Sequence, residues 1–230
     1  MNKKKLASAL LGTAMMGGLL LQAVPASAVP AGGGTTGGSV GFSGHIPPTN
    51  PSGGDLDLVW VPRAFEFGNS NANTTAAKTY AATNGATKYV VVRDQRVANG
   101  TTGTPNAWEL TAQASALTDS GSNLTGAQYK FSGNQLKNYN SASGADTEAP
   151  ESSGAINTTL PGGHTAAVTT NVTLPADGTT NVKVMESTAG AIDGKYAAEL
   201  NAISLVVPAN TSQEGKQYVG TIDWSLDDTI

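Results

Sequence analysis

The sequence predicts an all-β, sandwich-like antiparallel domain with little helix, and three observations carry that prediction. Apolar residues recur with period two, or in short β-branched runs, with turn residues between them. A Trp-x-Leu triplet occurs twice, as Trp108-Glu109-Leu110 and Trp224-Ser225-Leu226. In an extended chain its indole and isobutyl groups project to the same side. Only 75–82 and 195–200 look helical, and both are too short to sustain a helix alone.

Residues 1–28 have the layout of a secretory signal peptide: Lys3, Lys4 and Lys5, an apolar stretch over 6–21, and Ala26-Ser27-Ala28 as the cleavage site. A transmembrane anchor is the weaker reading, because Pro25 and Pro30 bracket the small residues and polar, glycine-rich sequence follows. Residues 29–54 are dominated by Gly, Pro, Ser and Thr and read as a flexible spacer whose deletion leaves the domain folded. The folded domain is expected over 55–230. Its strands are expected at 56–61, 65–67, 87–93, 107–114, 127–131, 166–174, 181–185, 203–207 and 218–226. The last is the clearest, with Tyr218, Ile222, Trp224 and Leu226 on one face and Val219, Thr221, Asp223 and Ser225 on the other. Residues 138–164 have almost no apolar pattern and read as a mobile surface loop, with a strand around 155–160 as the alternative.

Removal of the signal peptide takes three lysines and moves the formal net charge from −4 to −7. Such a chain is repelled by nucleic acid, wall phosphates and anionic lipid. Cysteine is absent, so an exported protein of this kind is held by its apolar core alone. The Thr/Asn/Ser/Gly/Ala-rich composition with this leader looks bacterial and Gram-positive. The sequons at Asn73, Asn99, Asn123 and Asn157 then reflect only Asn and Thr abundance.

Catalytic chemistry finds little support. The two histidines, His45 in the spacer and His164 in a Gly-rich loop, have no partner at metal-ligand spacing, so neither a metal nor a cofactor is expected. Gly41-Phe42-Ser43-Gly44 lacks the spacing and context of a nucleophile elbow. Asp55 and Asp57 share a strand face and Asp227-Asp228 close the last strand, but neighbours on one strand do not face each other across a sugar. They read as solvated edge charges. Leu174-Pro175-Ala176-Asp177-Gly178 is superficially like a sortase signal, yet the Thr-Gly is missing and no apolar tail with a basic stop follows. Surface retention, if any, is then expected without a covalent bond or a membrane span.

Three ordered segments carry a resemblance. Leu56-x-Leu58-x-x-x-Pro62 leads to Phe65-Glu66-Phe67-Gly68; Val92-Arg93-Asp94-Gln95-Arg96 precedes Ala107-Trp108-Glu109-Leu110-Thr111; Leu205-Val206-Val207-Pro208 precedes Tyr218-x-x-Thr221-Ile222-Asp223-Trp224-Ser225-Leu226. In that order they resemble the opening, proximal and distal motifs of the WxL-domain family, Gram-positive surface proteins retained non-covalently on the cell wall. Ile222-Asp223 departs from the usual Leu-Thr before the distal Trp, and the expected proline after it is missing. The resemblance implies a non-enzymatic binding and display role through peptidoglycan or a companion surface protein, within a multi-protein surface complex. A glycan-active wall enzyme and a passive coat component are the alternatives. Trp108, Leu110, Tyr218, Trp224 and Leu226 are the candidate binding residues, against the reading that alternating Trp and Leu on a strand form core. Trp108 is expected to be mainly structural, and Trp224 with Leu226 nearer the contact surface.

Overall fold

A computed structural model describes residues 32–38, 55–73, 75–96, 107–140, 150, 155–189 and 193–228, the first of these by backbone alone. The signal peptide, most of the expected spacer with His45 and Ser43, and 141–149 and 151–154 of the expected loop lie outside the described residues.

The described chain is all-β, in four antiparallel sheets. One sheet has the order β1 (Gly32–Gly38), β16 (Gly220–Asp227), β5 (Trp108–Ala114), β13 (Asn181–Ser187), β11 (Ala166–Val168). A second has β10 (Ile156–Asn157), β9 (Gln135–Tyr139), β14 (Gly194–Leu200), β4 (Lys88–Asp94), β2 (Leu56–Trp60). The third has β12 (Asn171–Pro175), β8 (Gln128–Ser132), β15 (Ser204–Val207), β3 (Lys78–Ala81), and a small hairpin joins β6 (Thr118–Asp119) to β7 (Ser122–Asn123). The hairpin turns on Ser120 and Gly121, both at positive φ, which matches the twist a two-residue antiparallel connection needs.

Inward faces of the three larger sheets meet in one core that holds Trp108, Leu110, Trp224 and Leu226 with Val90, Val92, Tyr129, Phe131, Tyr196 and Met185. Burial alternates residue by residue along β5 and β16, the period-two pattern read in the sequence. The second sheet is covered on both sides. Val90, Val91 and Val92 are all buried, and Val59, Trp60, Val91, Tyr139, Ala155 and Ala197 form a second, smaller cluster. A register shift between Leu58 and Trp60 turns both Val59 and Trp60 toward that smaller cluster.

Several expectations are corrected. The two helix-like stretches are strands: β3 pairs with β15, and β14 lies between β4 and β9. Tyr196-Ala197-Ala198 is a continuous buried run because both faces of its sheet are packed, and such a run carries no period of its own. The stretch 65–67 is not a strand. Pro62 and Gly68, at φ 85, bound it, and its backbone polar groups are met by side chains: Glu66 N–H donates to Asn84 Oδ1 at 3.2 Å, and Asn71 Nδ2 donates to Phe67 O at 2.7 Å. The stretch 166–174 divides between two sheets as β11 and β12. The expected loop 138–164 contains the strand kept as its alternative, since β10 pairs with the end of β9 and Asn140 N–H donates to Ala155 O at 2.7 Å.

Part of the expected spacer belongs to a sheet. Gly32–Gly38 pairs with β16 along its whole length, from Gly32 opposite Leu226 to Gly38 opposite Gly220. Glycine-rich sequence has little strand preference of its own, so the ladder offered by β16 supplies the order. Deleting 30–53 should therefore uncover the β16 edge, lower the melting temperature and promote self-association, read by thermal melts and size-exclusion chromatography.

The segment that superficially resembled a sortase signal is the end of β12 and the turn into β13. Asp177 Oδ1 accepts from the Thr179 and Thr180 N–H groups at 2.8 Å each, Oδ2 accepts from Thr180 Oγ1 at 2.6 Å, and Gly178 takes φ 75. These bonds, the Thr180 hydroxyl first, hold the Asp177 carboxyl at about 2, below its ordinary 3.8. A depressed folded-state value means that this stabilisation is whole above the unfolded value and fades as pH falls toward the folded one. Asp177→Ala should accordingly flatten the dependence of melting temperature on pH between about 4 and 2.

Candidate functional site

Four of the five candidate binding residues come together. β5 and β16 lie side by side with Leu226 opposite Leu110, Trp224 opposite Ala112 and Ile222 opposite Ala114. Each Trp-x-Leu triplet thus faces the same interior, and the small Ala112 leaves room beside the Trp224 indole. Trp108, Leu110 and Leu226 are fully buried and Trp224 is 2% exposed. The core reading is the correct one for these four. The expectation that Trp224 and Leu226 sit nearer a contact surface is corrected: β1 pairs with the edge of β16, and both side chains point into the core. Burying an aromatic side chain removes about 200 Å² from water, an upper-bound contribution of roughly 5 kcal/mol per indole. A chain without cysteine depends on such contributions.

The proximal motif explains itself as a buried polar network. Asp94, at the end of β4, is 1% exposed; its Oδ2 accepts from Trp108 Nε1 at 3.1 Å and from an Arg96 terminal guanidinium nitrogen at 2.9 Å, and its Oδ1 accepts from Arg96 Nε at 3.0 Å. A buried carboxylate is tolerable only with such partners. The Tyr196 ring lies 6.3 Å from Trp108, and burial, with the Asp94 charge second, pushes its hydroxyl up to about 12. Next along the chain, Arg93 pairs with Asp57 across β4 and β2. Asp57 is fully buried, which corrects its reading as a solvated edge charge and leaves the Asp55/Asp57 pair without the geometry of a glycosidase. Asp227 does project from the exposed face of β16.

Tyr218 stands apart. It precedes β16, is half-buried, and lines a cavity of about 680 Å³. Phe65, Leu124, Tyr129, Leu205 and Val207 form the buried wall of that cavity; Asn69, Asn71, Gln213 and Gln217 are exposed members of its lining. Two loops frame it. Loop 66–73 is held by the Asn71 bonds and by Tyr80 Oη, which donates to Ala72 O at 3.5 Å. Loop 212–219 is held by the β6–β7 hairpin: Gln217 N–H donates to Asp119 Oδ2 at 2.7 Å, which keeps that carboxyl below its ordinary range, and Val219 exchanges backbone bonds of 2.9 Å with Thr118. The loops meet where the Asn73 amide reaches Ser212 Oγ at 2.6 Å, oriented so that its oxygen accepts from Glu214 N–H at 3.3 Å. The Tyr218 hydroxyl is shielded from solvent and makes no hydrogen bond among the described residues. Val219, 44% exposed, is the one exposed large apolar side chain among the described residues and lines the same cavity.

Sequence reasoning named Tyr218 but missed the cavity. Phe65 and Phe67 were visible within the opening motif, and nothing in the spacing indicated that they line one cavity with Tyr129 and Tyr218, which come from distant parts of the chain. No group of three or more His, Cys, Asp or Glu able to hold a metal occurs among the described residues.

Two substitutions test the core assignment. Trp108→Ala and Trp224→Ala should each cost about 3–5 kcal/mol in denaturant unfolding, by loss of the indole and the space left behind. Asp94→Ala should cost a similar ~3–5 kcal/mol, because the Arg96 charge stays in a buried position without its carboxylate.

Comparison with known proteins gives one family. Neither a curated relative nor a solved structure matches the chain. A family model described as "WxL domain surface cell wall-binding" matches residues 33–229, from within β1 to just beyond β16, and takes in both buried triplets and the cavity. The chain therefore belongs to the WxL family of surface cell wall-binding domains.

Proposed function

We propose that the protein is exported, loses residues 1–28, and is retained non-covalently at the cell wall through its WxL domain, as a binding and display protein rather than an enzyme. The observation that supports this most is the extent of the family match, 33–229, which makes wall binding a property of the whole domain. The Trp-x-Leu motifs serve that function by holding the domain together, so the attachment surface lies on other residues. Peptidoglycan and a companion surface protein are the two candidate receptors. The formal charge of −7 after processing favours a polar or apolar protein surface over a polyanionic wall polymer.

A glycan-active enzyme is the reading that a different observation could favour, since Glu66 and Glu214 both line the cavity. Residues from two separate loops could face each other across a ligand, as neighbours on one strand cannot. The two readings part in one experiment on fractionated cells. The protein should begin at Val29 by mass spectrometry and remain with the wall fraction until lithium chloride or high salt releases it. Purified protein should liberate no reducing ends from isolated walls. Release only by muralytic digestion, or sugar release lost in Glu66→Gln, would reject the proposal.

A further inference from the structure

The geometry points to the cavity beside Tyr218 as a receptor for free ammonium groups on the peptides of peptidoglycan, with Glu66 and Glu214 as the groups that meet them. The inference rests on the wall-retention reading above and names the part of the wall that is recognised. Three features carry it. The first is charge that the fold leaves unmatched. Glu66 lies on one loop and Glu214 on the other, both line the cavity, and neither carboxylate has an ion-pair or hydrogen-bond partner among the described residues. Lys216, the cation within the lining, stands near Asp119, whose carboxyl is held below its ordinary range by the Gln217 N–H first and by the Lys216 charge among lesser causes. Lys78, outside the lining, sits over the Tyr80 ring, 5.0 Å from its centroid. An ammonium entering the cavity therefore meets two carboxylates without a counter-ion of their own, on a chain whose formal charge after processing is −7.

The second is the mixed lining. A volume of about 680 Å³ is in the range of small-ligand sites. The half-buried Phe67 and Tyr218 rings and the exposed Val219 offer surface to the methylenes of an amine-bearing side chain. Exposed Asn69 and Gln217 offer amide donors and acceptors to the peptide groups that carry it. A neutral sugar brings hydroxyls to the same carboxylates but no charge to match them, whereas an ammonium makes the stronger, charge-assisted bond. Phosphate-bearing wall polymers are repelled by both glutamates.

The third is fixed position. Glu66 N–H donates to Asn84 Oδ1 at 3.2 Å and Glu66 O accepts from Thr83 Oγ1 at 3.1 Å, while Glu214 N–H donates to the Asn73 amide oxygen at 3.3 Å. Both carboxylates thus extend from backbone that is already held, which lowers the ordering cost of binding. The family description names the cell wall as the bound material, and peptidoglycan is the wall polymer that joins peptides with amino groups to an uncharged sugar chain.

The test titrates the ¹⁵N-labelled exported protein with Nα-acetyl-lysinamide, with Nα,Nε-diacetyl-lysinamide, which keeps the side chain and removes its charge, and with chitotetraose, following backbone amide shifts. The first probe should give saturable shifts confined to 66–73 and 212–219, and acetylation of its ammonium should weaken binding at least tenfold. Glu66→Gln and Glu214→Gln should each weaken it about three- to tenfold, the worth of one charged hydrogen bond in a partly exposed site. Neither change should lower the melting temperature, since neither carboxylate is bonded within the protein. Peptidoglycan stripped of protein should bind the exported protein, and treatment of that material with acetic anhydride, which blocks its free amines, should abolish most of the binding. Absence of shifts at those amides, equal binding of the diacetylated probe, tighter binding of chitotetraose there, unchanged affinity in both glutamate variants, or full binding to acetylated peptidoglycan would each overturn the proposal. Binding to whole walls but not to protein-stripped peptidoglycan would overturn it as well, by assigning the receptor to a surface protein. Failure of the unmodified protein to stay with the wall fraction would instead sink the wall-retention reading, and the lysinamide titration would still report on the cavity.

Discussion

The insertion of the last strand, β16, between β1 and β5 is the interaction on which the rest of the structure depends. Without disulfides, the ends of the domain must be held by pairing and burial, and this one strand supplies both. It brings Ile222, Trp224 and Leu226 against Ala114, Ala112 and Leu110, and its other edge orders a glycine-rich segment that has little reason to be extended by itself. The small alanines of β5 and the large residues of β16 alternate across the interface, which lets two indoles enter one core without crowding. Pairing of β1 with β16 therefore joins the first described strand to the last.

Buried charge shapes the second sheet in the same way. Asp94 and Arg96 sit near the end of β4 and are tied to Trp108 of the neighbouring sheet, while Asp57 and Arg93 span β2 and β4. Such groups contribute less net stability than an apolar core of equal volume, since each charge loses its water. What they add is register: the Trp108 indole has a donor to satisfy and one carboxylate placed to accept it. The Val-Arg-Asp-Gln-Arg sequence thus couples the two sheets through side chains that would be costly in any other pairing.

With its signature residues buried in the core, the domain turns other residues to its surface. The cavity framed by 66–73 and 212–219 combines aromatic and aliphatic wall with amide and charged residues, Glu66, Glu214 and Lys216 among them, on loops fixed by Asp119, Asn71 and Asn73. The three-sheet core beneath positions both loops. The Trp-x-Leu residues within the matched region lie inside the protein.

The sequence by itself determined the strand class, the alternation along β5 and β16, and the family, because period-two patterning and ordered motifs are local and survive without the fold. Residues 32–38 escaped it, since glycine has no side chain to display a period and its order comes from β16, nearly two hundred residues away in sequence. The strand β14 escaped as well, because a sheet packed on both faces shows a continuous apolar run in place of alternation. For the site, Tyr218 and the two phenylalanines were legible as residues and the cavity was not. Alternation says which side chains share a side, never what covers that side; whether Trp224 is core or contact, and whether Tyr218 and Phe67 line one cavity, are decided only when distant strands pack.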